Sequence, residues 1–466
     1  NNYWDLTISS LVDGSGLSSG SVTDEIEGLT SLELDNAINF NGWDFINIWA
    51  IGEDVRAPKL RWDLHPICQS NIDASSYADI GMGTSISPYL ICFKEQLIDL
   101  ADSGCGATSS GACSDHFMLM NDIDLKGEDF SSIGSASHIF NGRFEGNNHK
   151  IINLNSSSAV GMFSHTGTNF RVSNLSIVLA NLSSSVGPAG ILVGDFKGLI
   201  ENVFVSENLS VSNINYAGAL VGNANGDIRS SQSSVSLSAS NASYIGGLVG
   251  RFVSGQIKSS HSFGDITVTG PEQYIGGFVG AFESSISSEI TDSSSAVHIS
   301  AGGSSSIGGF VGSVSSSGGG PPIIKRGYVL GNILAGANNV GGFVGEVLAG
   351  TIDDSFCKGV VEASGTARGG FVGVINDISA SVQTSYSASQ STSGVDGAFV
   401  GSDLAGGFNN NYWNSDFISG TNSAGRYTAL TSSQMTNEAN YDTSWDFTNT
   451  WRIGSLGTPE HILVKK

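Results

Sequence analysis

The sequence predicts an all-β chain wound as a right-handed parallel β-helix, and three observations carry that prediction. A pentapeptide returns every 28 to 33 residues, a second apolar residue follows each return at a nearly fixed distance, and no 3.6-residue period survives in residues 155–405. Composition agrees with a solenoid. Of 466 residues 62 are glycine, yet 8 prolines and the lack of a three-residue period exclude collagen. Charged residues make up 14%, about half the usual share, so Ser, Thr and Asn are expected to wet the surface. The hydrophobic fraction of 39% is too high for a disordered linker, and no stretch approaches the ~18 apolar residues of a membrane span. A net charge of −23, with the acids scattered, argues against nucleic acid or an anionic membrane as partner.

Taken in order, residues 1–63 form a first segment. It opens on Asn1-Asn-Tyr3-Trp4 and later carries Gly42-Trp43-Asp-Phe-Ile-Asn-Ile-Trp49-Ala-Ile-Gly52. The same pattern closes the chain, as Asn-Tyr412-Trp413 and then Trp445-Asp-Phe-Thr-Asn-Thr-Trp451-Arg-Ile-Gly454. The chain thus starts with what reads as a terminator. Either it is one period of a longer tandem protein, or residues 1–63 cap a neighbouring subunit so that copies join head to tail. Tyr3, Trp4, Trp43, Trp49, Trp413, Trp445 and Trp451 are the residues expected at that interface. The lack of an initiator Met and of a signal peptide fits a processed chain or a fragment.

Residues 64–115 hold four of the five cysteines, Cys68, Cys92, Cys105 and Cys113. Cys105 and Cys113 bracket a small-residue loop that suits a local disulfide, which leaves Cys68 with Cys92. A zinc site would want tighter C-x2-C pairs. Disulfides imply an oxidising, extracellular compartment.

Residues 116–405 carry the repeat. It reads Gly190-Ile-Leu-Val-Gly194, Gly218-Ala-Leu-Val-Gly222, Gly246-Gly-Leu-Val-Gly250, Gly276-Gly-Phe-Val-Gly280, Gly308-Gly-Phe-Val-Gly312, Gly341-Gly-Phe-Val-Gly345, Gly369-Gly-Phe-Val-Gly373 and Gly397-Ala-Phe-Val-Gly401. Ile200, Ile228, Ile257, Ile290, Ile324, Ile352 and Val382 follow, and short β-branched runs close each period, so about three short strands fill a coil. Stacked coils place equivalent residues above one another. Phe163, Leu192, Leu220, Leu248, Phe278, Phe310, Phe343, Phe371 and Phe399 are therefore assigned to one interior column, flanked by glycines where a Cβ would clash. Residues 406–466 are the closing segment.

The run Gly-Gly-Phe/Leu-Val-Gly, with its Asn/Asp/Ser-Ser turn and Val-rich close, resembles the GLUG motif. That motif occurs in tandem in large secreted and surface-attached bacterial proteins, including adhesins and some IgA-peptidase-type proteins. The segment Pro88–Ala101 is similar to the amphipathic helix before the first coil of that family. His116–Leu125 and Phe140–Leu154 are similar to its first coils. The resemblance spans roughly residues 85–466 and bears on architecture, since the motif is a scaffold unit.

Catalytic and binding signals are sparse. Asp122, Asp124, Glu128 and Asp129 are the best acidic group, read as turns or a weak cation site. Gly16-Leu-Ser18-Ser-Gly20 matches a nucleophile elbow without the strand–helix context such an elbow needs. Cys357 falls in a column of small residues and reads as a packed thiol, while His261 reads as a surface residue. Tyr328, Phe356 and Tyr386 recur one coil apart, as a stabilising ladder or as an exposed glycan platform. Asn155, Asn174, Asn181, Asn208 and Asn241 begin sequons that follow from a Ser-rich composition. These features predict a non-enzymatic secreted protein without cofactor or metal, a surface adhesin or the subunit of an extracellular filament of the kind found in biofilms. Its expected partners are further copies of itself, glycans or surface proteins. The alternative is a glycan-binding or polysaccharide-degrading β-helix.

Overall fold

In a computed structural model, the described residues are 66–462 apart from 70, 72, 107–109, 158–159, 271–272, 304–305, 392–393, 404–406, 419–426 and 456. Before residue 66 the backbone of four short strands is described. The chain winds as a parallel β-helix of about 11 turns with ~28 residues in each. The second apolar signal sets the register: Val172, Ile200, Ile228, Ile257, Ile290, Ile324, Ile352 and Val382 each pair with the next in parallel.

A coil contains four strands rather than the three expected. One coil runs through Tyr244–Gly246, Val249–Ser254, Gln256–Lys258 and His261–Val268. The extra strand arises because the pentapeptide is a corner: its first glycine ends one strand and its valine begins the next. A Cβ on Gly276 would strike the Val279 carbonyl across this turn, and one on Gly280 would strike the Gly250 carbonyl of the preceding coil. Both positions require glycine for space, since neither has positive φ.

A second corner has a different chemistry. One residue per coil, from Asn174 and Asn202 through Ser230, Ser259, Asp292, Arg326, Asp354 and Thr384 to Asn410, sits at φ between +42° and +59°. This left-handed bend suits Asn and Asp best. Behind it lies a column of serines with no exposed surface. Ser260 Oγ donates to the Lys258 carbonyl (3.0 Å) and accepts from the Ser231 N–H (3.2 Å). Ser355 Oγ donates to the Asp353 carbonyl (2.8 Å) and accepts from the Gly327 N–H (3.1 Å). Some of the serines therefore lie inside, where their hydroxyls satisfy backbone groups that the bend takes out of the strand ladder. Serine thus has an interior role in addition to the expected one of wetting the outer walls.

The pentapeptide column is interior along its whole length. Every one of its nine side chains, from Phe163 to Phe399, is at most 1% exposed. Phe278, Phe310, Phe343, Phe371 and Phe399 stack with centroids 4.7–4.9 Å apart and planes within 17°. That separation is the spacing between hydrogen-bonded strands, so the backbone dictates the ring stack. Tyr427 ends the column, 4.9 Å from Phe399.

At the other end the expected helix is shorter than its segment. Tyr89–Ile91 already pairs as a strand with Phe117, Met118 and Leu119, and the α-helix covers Lys94–Asp99. Gln96, fully buried, accepts the Cys92 and Phe93 N–H groups at 2.8 and 3.2 Å and so caps that helix. Leu97 and Leu100 face the core. Disulfides join Cys68 to Cys92 and Cys105 to Cys113.

The two chain ends repeat each other in backbone as well as in sequence. Asn2–Asp5 pairs in parallel with Ile26–Leu29, as Tyr412–Asn414 does with Thr428–Leu430. Trp49–Ala50 pairs antiparallel with Lys59–Leu60, as Trp451–Ile453 does with Pro459–His461. Among the described residues no helix is long and apolar enough to cross a membrane.

Candidate functional site

The outer column four residues beyond the second apolar signal runs Phe204, Gln232, His261, Ser294, Tyr328, Phe356, Tyr386 and Tyr412. Its aromatic half is a ladder. Tyr328, Phe356 and Tyr386 stack at 5.2 Å with planes within 12°. Far from forming an exposed platform, Phe356 and Tyr386 are buried, because the closing segment lies across them. Trp451 and Trp445 pack on Tyr386, His461 packs on Phe356 and Tyr328, and Tyr441 packs on Tyr412. Polar links fasten the same cover. The Tyr386 hydroxyl donates to the Pro459 carbonyl, Trp451 Nε1 to Asp354 Oδ1 (3.2 Å), and His461 Nε2 to the Asp354 carbonyl.

Burial shapes the chemistry under this cover. It pushes the His461 pKa down to about 4 and that of Lys358, whose ammonium lies 4.8 Å from the Phe356 ring centre, to about 8. Desolvation likewise raises Asp354, helped by the neighbouring Asp353. The three C-terminal tryptophans are thus consumed inside their own chain: Trp413 is 9% exposed, Trp445 4% and Trp451 0%. This overturns their assignment to an exposed assembly face. The side chains of Tyr3, Trp4, Trp43 and Trp49, and the Gly16–Gly20 motif, lie outside the described residues.

Where the cover ends, at His461 and Tyr328, the column continues as an open cleft of about 580 Å³. Its apolar wall includes Phe263 and Leu330, exposed by 40% and 49% on a face otherwise rich in serine. Its polar wall holds Gln232, Lys258, His261 and the pair Asp292–Arg326. Arg326 grips Asp292 through two hydrogen bonds of 2.6 and 2.9 Å, which hold that carboxyl below the usual carboxylate range. His261, expected at the surface, is part-buried with Nδ1 2.8 Å from Ser294 Oγ, and burial lowers its pKa.

Sequence reasoning found no basic group here. Register supplies one: Arg229, Lys258 and Lys325 occupy one outward column, with Thr291 between the two lysines. Each follows an isoleucine of the second apolar signal, which is how the repeat could have revealed it.

The acidic residues singled out near the first coils do not converge. Asp122 meets His149 (3.2 Å), Asp124 accepts from Asn153 (2.6 Å), Glu128 pairs with Lys94 (3.0 Å) and Asp129 holds Ser157 (2.8 Å). Among the described residues no group of three or more His, Cys, Asp or Glu is placed to hold a metal. Cys357 is fully buried against the Gly370 carbonyl, and desolvation pushes its pKa up to about 12, so its thiol has no thiolate character at neutral pH.

No protein-family model matches the chain. Over 140 residues, 27% of this chain, it is 29% identical to Halomucin of Haloquadratum walsbyi (strain DSM 16790 / HBSQ001), a stretch that spans 2% of that protein's length. Among solved structures, a Bacteroides ovatus protein named as a candidate immunoglobulin A1 protease aligns with 82% of this chain and 95% of its own, at 19% identity and a TM-score of 0.43.

Proposed function

We propose that this chain is a non-enzymatic, extracellular β-helical module of GLUG type, an adhesive or fibre-forming unit joined in line with others of its kind. One observation carries the reading: the strand pairings of the closing segment recur at the opposite end of the chain. The C-terminal copy staples four coils of its own β-helix, so the N-terminal copy has the composition to staple the coils of the module before it. Non-closing contacts of this head-to-tail kind build linear arrays. The disulfides suit an oxidising exterior. A non-enzymatic role accords with the cleft, where Asp292, the one lining carboxylate among the described residues, is already bonded to Arg326, whereas glycoside hydrolysis uses a pair of carboxyl groups.

A chimera tests this directly. Residues 410–466 are replaced by residues 1–64, which sets Tyr3 and Trp4 in the places of Tyr412 and Trp413, so that the N-terminal copy must close the β-helix. The chimera is expected to bury its tryptophans and to melt within a few degrees of the parent, whereas the chain truncated at 409 loses stability. A chimera no more stable than the truncated chain would sink the proposal. Electron microscopy of fused modules adds a second reading, straight rods being expected and freely jointed beads not.

A further inference from the structure

We propose that the open cleft beside the closing segment binds an acidic saccharide, with a uronate carboxylate on Lys258 and a pyranose ring against Phe263. The size is right for a few sugar residues, since ligand clefts run from roughly 300 to 1,000 Å³ and this one holds about 580 Å³. The two walls divide the work. A pyranose presents an apolar C–H face and a hydroxyl edge, and the cleft sets Phe263 and Leu330 beside the polar column of Gln232 and His261, both able to hydrogen-bond hydroxyls.

Charge decides which sugar. The chain has 20 basic residues against 43 acidic ones, so most of its surface repels an anion. At this corner four basic residues, Arg229, Lys258, Lys325 and Arg326, stand within four coils among the acids Asp227, Glu289, Asp292, Asp353 and Asp354, so a ligand carboxylate depends on a cation without an ion pair. Arg229 and Arg326 are neutralised by Asp227 (2.7 Å) and Asp292 (2.6 Å). Lys258 lines the cleft and makes no ion pair among the described residues, although its charge helps to hold the Asp292 carboxyl down, so its ammonium is open to a ligand carboxylate. The closing segment covers the column from Tyr328 onward and so walls the cleft off on that side. The inference is independent of how modules are joined.

Calorimetric titration of the full chain with hexamers of galacturonate, of mannuronate and of hyaluronan, against cellohexaose as the neutral control, tests it. At least one acidic hexamer is expected to bind ten-fold or more tightly than cellohexaose and to weaken as salt is raised. Lys258→Gln should cost that hexamer ten-fold or more and erase most of the salt dependence. Phe263→Ala should weaken binding while leaving the melting temperature unchanged, since both side chains are exposed. Absence of binding by all three acidic hexamers at millimolar concentration overturns the proposal. Equal binding by cellohexaose, or full affinity in Lys258→Gln, overturns it as well.

Discussion

Ser355 shows how a small polar residue earns a place in a β-helix core. Its hydroxyl serves the Asp353 carbonyl and the Gly327 N–H, two groups of a bend that no strand partner reaches. Ser355→Ala is expected to lower stability by about 1–3 kcal/mol, the cost of a buried N–H left unpaired, read as a shifted urea midpoint. Phe343→Ala, in the middle of the ring stack, should cost about 3–5 kcal/mol through the cavity it opens. Cys357 should stay unreactive to a thiol reagent until the protein is denatured, because its thiol is buried and its pKa is raised. The phenylalanine column was legible in the sequence, since a bulky apolar side chain at the same place in every coil has one sensible location. The serine column was not. A small residue at one repeat position looks the same in a solvated wall as behind a left-handed corner, and φ is not written in the sequence.

Among the elements, the closing segment carries the most consequence and was the least legible. The recurrence of its tryptophans could be read. What they touch could not, because Trp451 meets Asp354 at a separation of 97 residues and His461 meets it at 107. The aromatic ladder beneath was visible as a column, but nothing local says whether such a column is bare or covered. The cover makes the C-terminal end sensitive to acid. His461 is held neutral with a pKa of about 4 against an ordinary 6.5, so between those values the unfolded chain takes up a proton that the folded one refuses. The contribution of His461 is therefore fully present above pH 6.5 and falls as pH drops toward 4, by about 3 kcal/mol. Denaturant titrations followed by tryptophan fluorescence should show this slope in the parent and a flatter one in His461→Asn. The N-terminal element behaves differently, because its locks are covalent. Reducing the Cys68–Cys92 bridge, which closes a 24-residue separation, should cost about 3 kcal/mol and be visible as lower thermal stability under dithiothreitol.

At the scale of the molecule, about 11 coils at ~4.8 Å give a rod roughly 50 Å long with an apolar axis and polar, acidic walls. Both mouths of its interior are plugged by its own chain, by Leu97 and Leu100 at one end and by Tyr427 at the other. Small-angle scattering should accordingly give an elongated particle, and removing the closing segment, which bares strand edges free to pair, should make it lengthen further with concentration. The cover across Tyr328, Phe356, Tyr386 and Tyr412 also has a mechanical meaning. Tension along the axis would pull the hydrogen bonds between turns apart one turn at a time, like thread leaving a spool. The segment that crosses four turns ties them together, so this end resists until the crossing strands shear away and then pays out several turns at once. A filament built from such units would yield in long steps, and it would hold its length under the steady drag of moving water until the first lashing gave way.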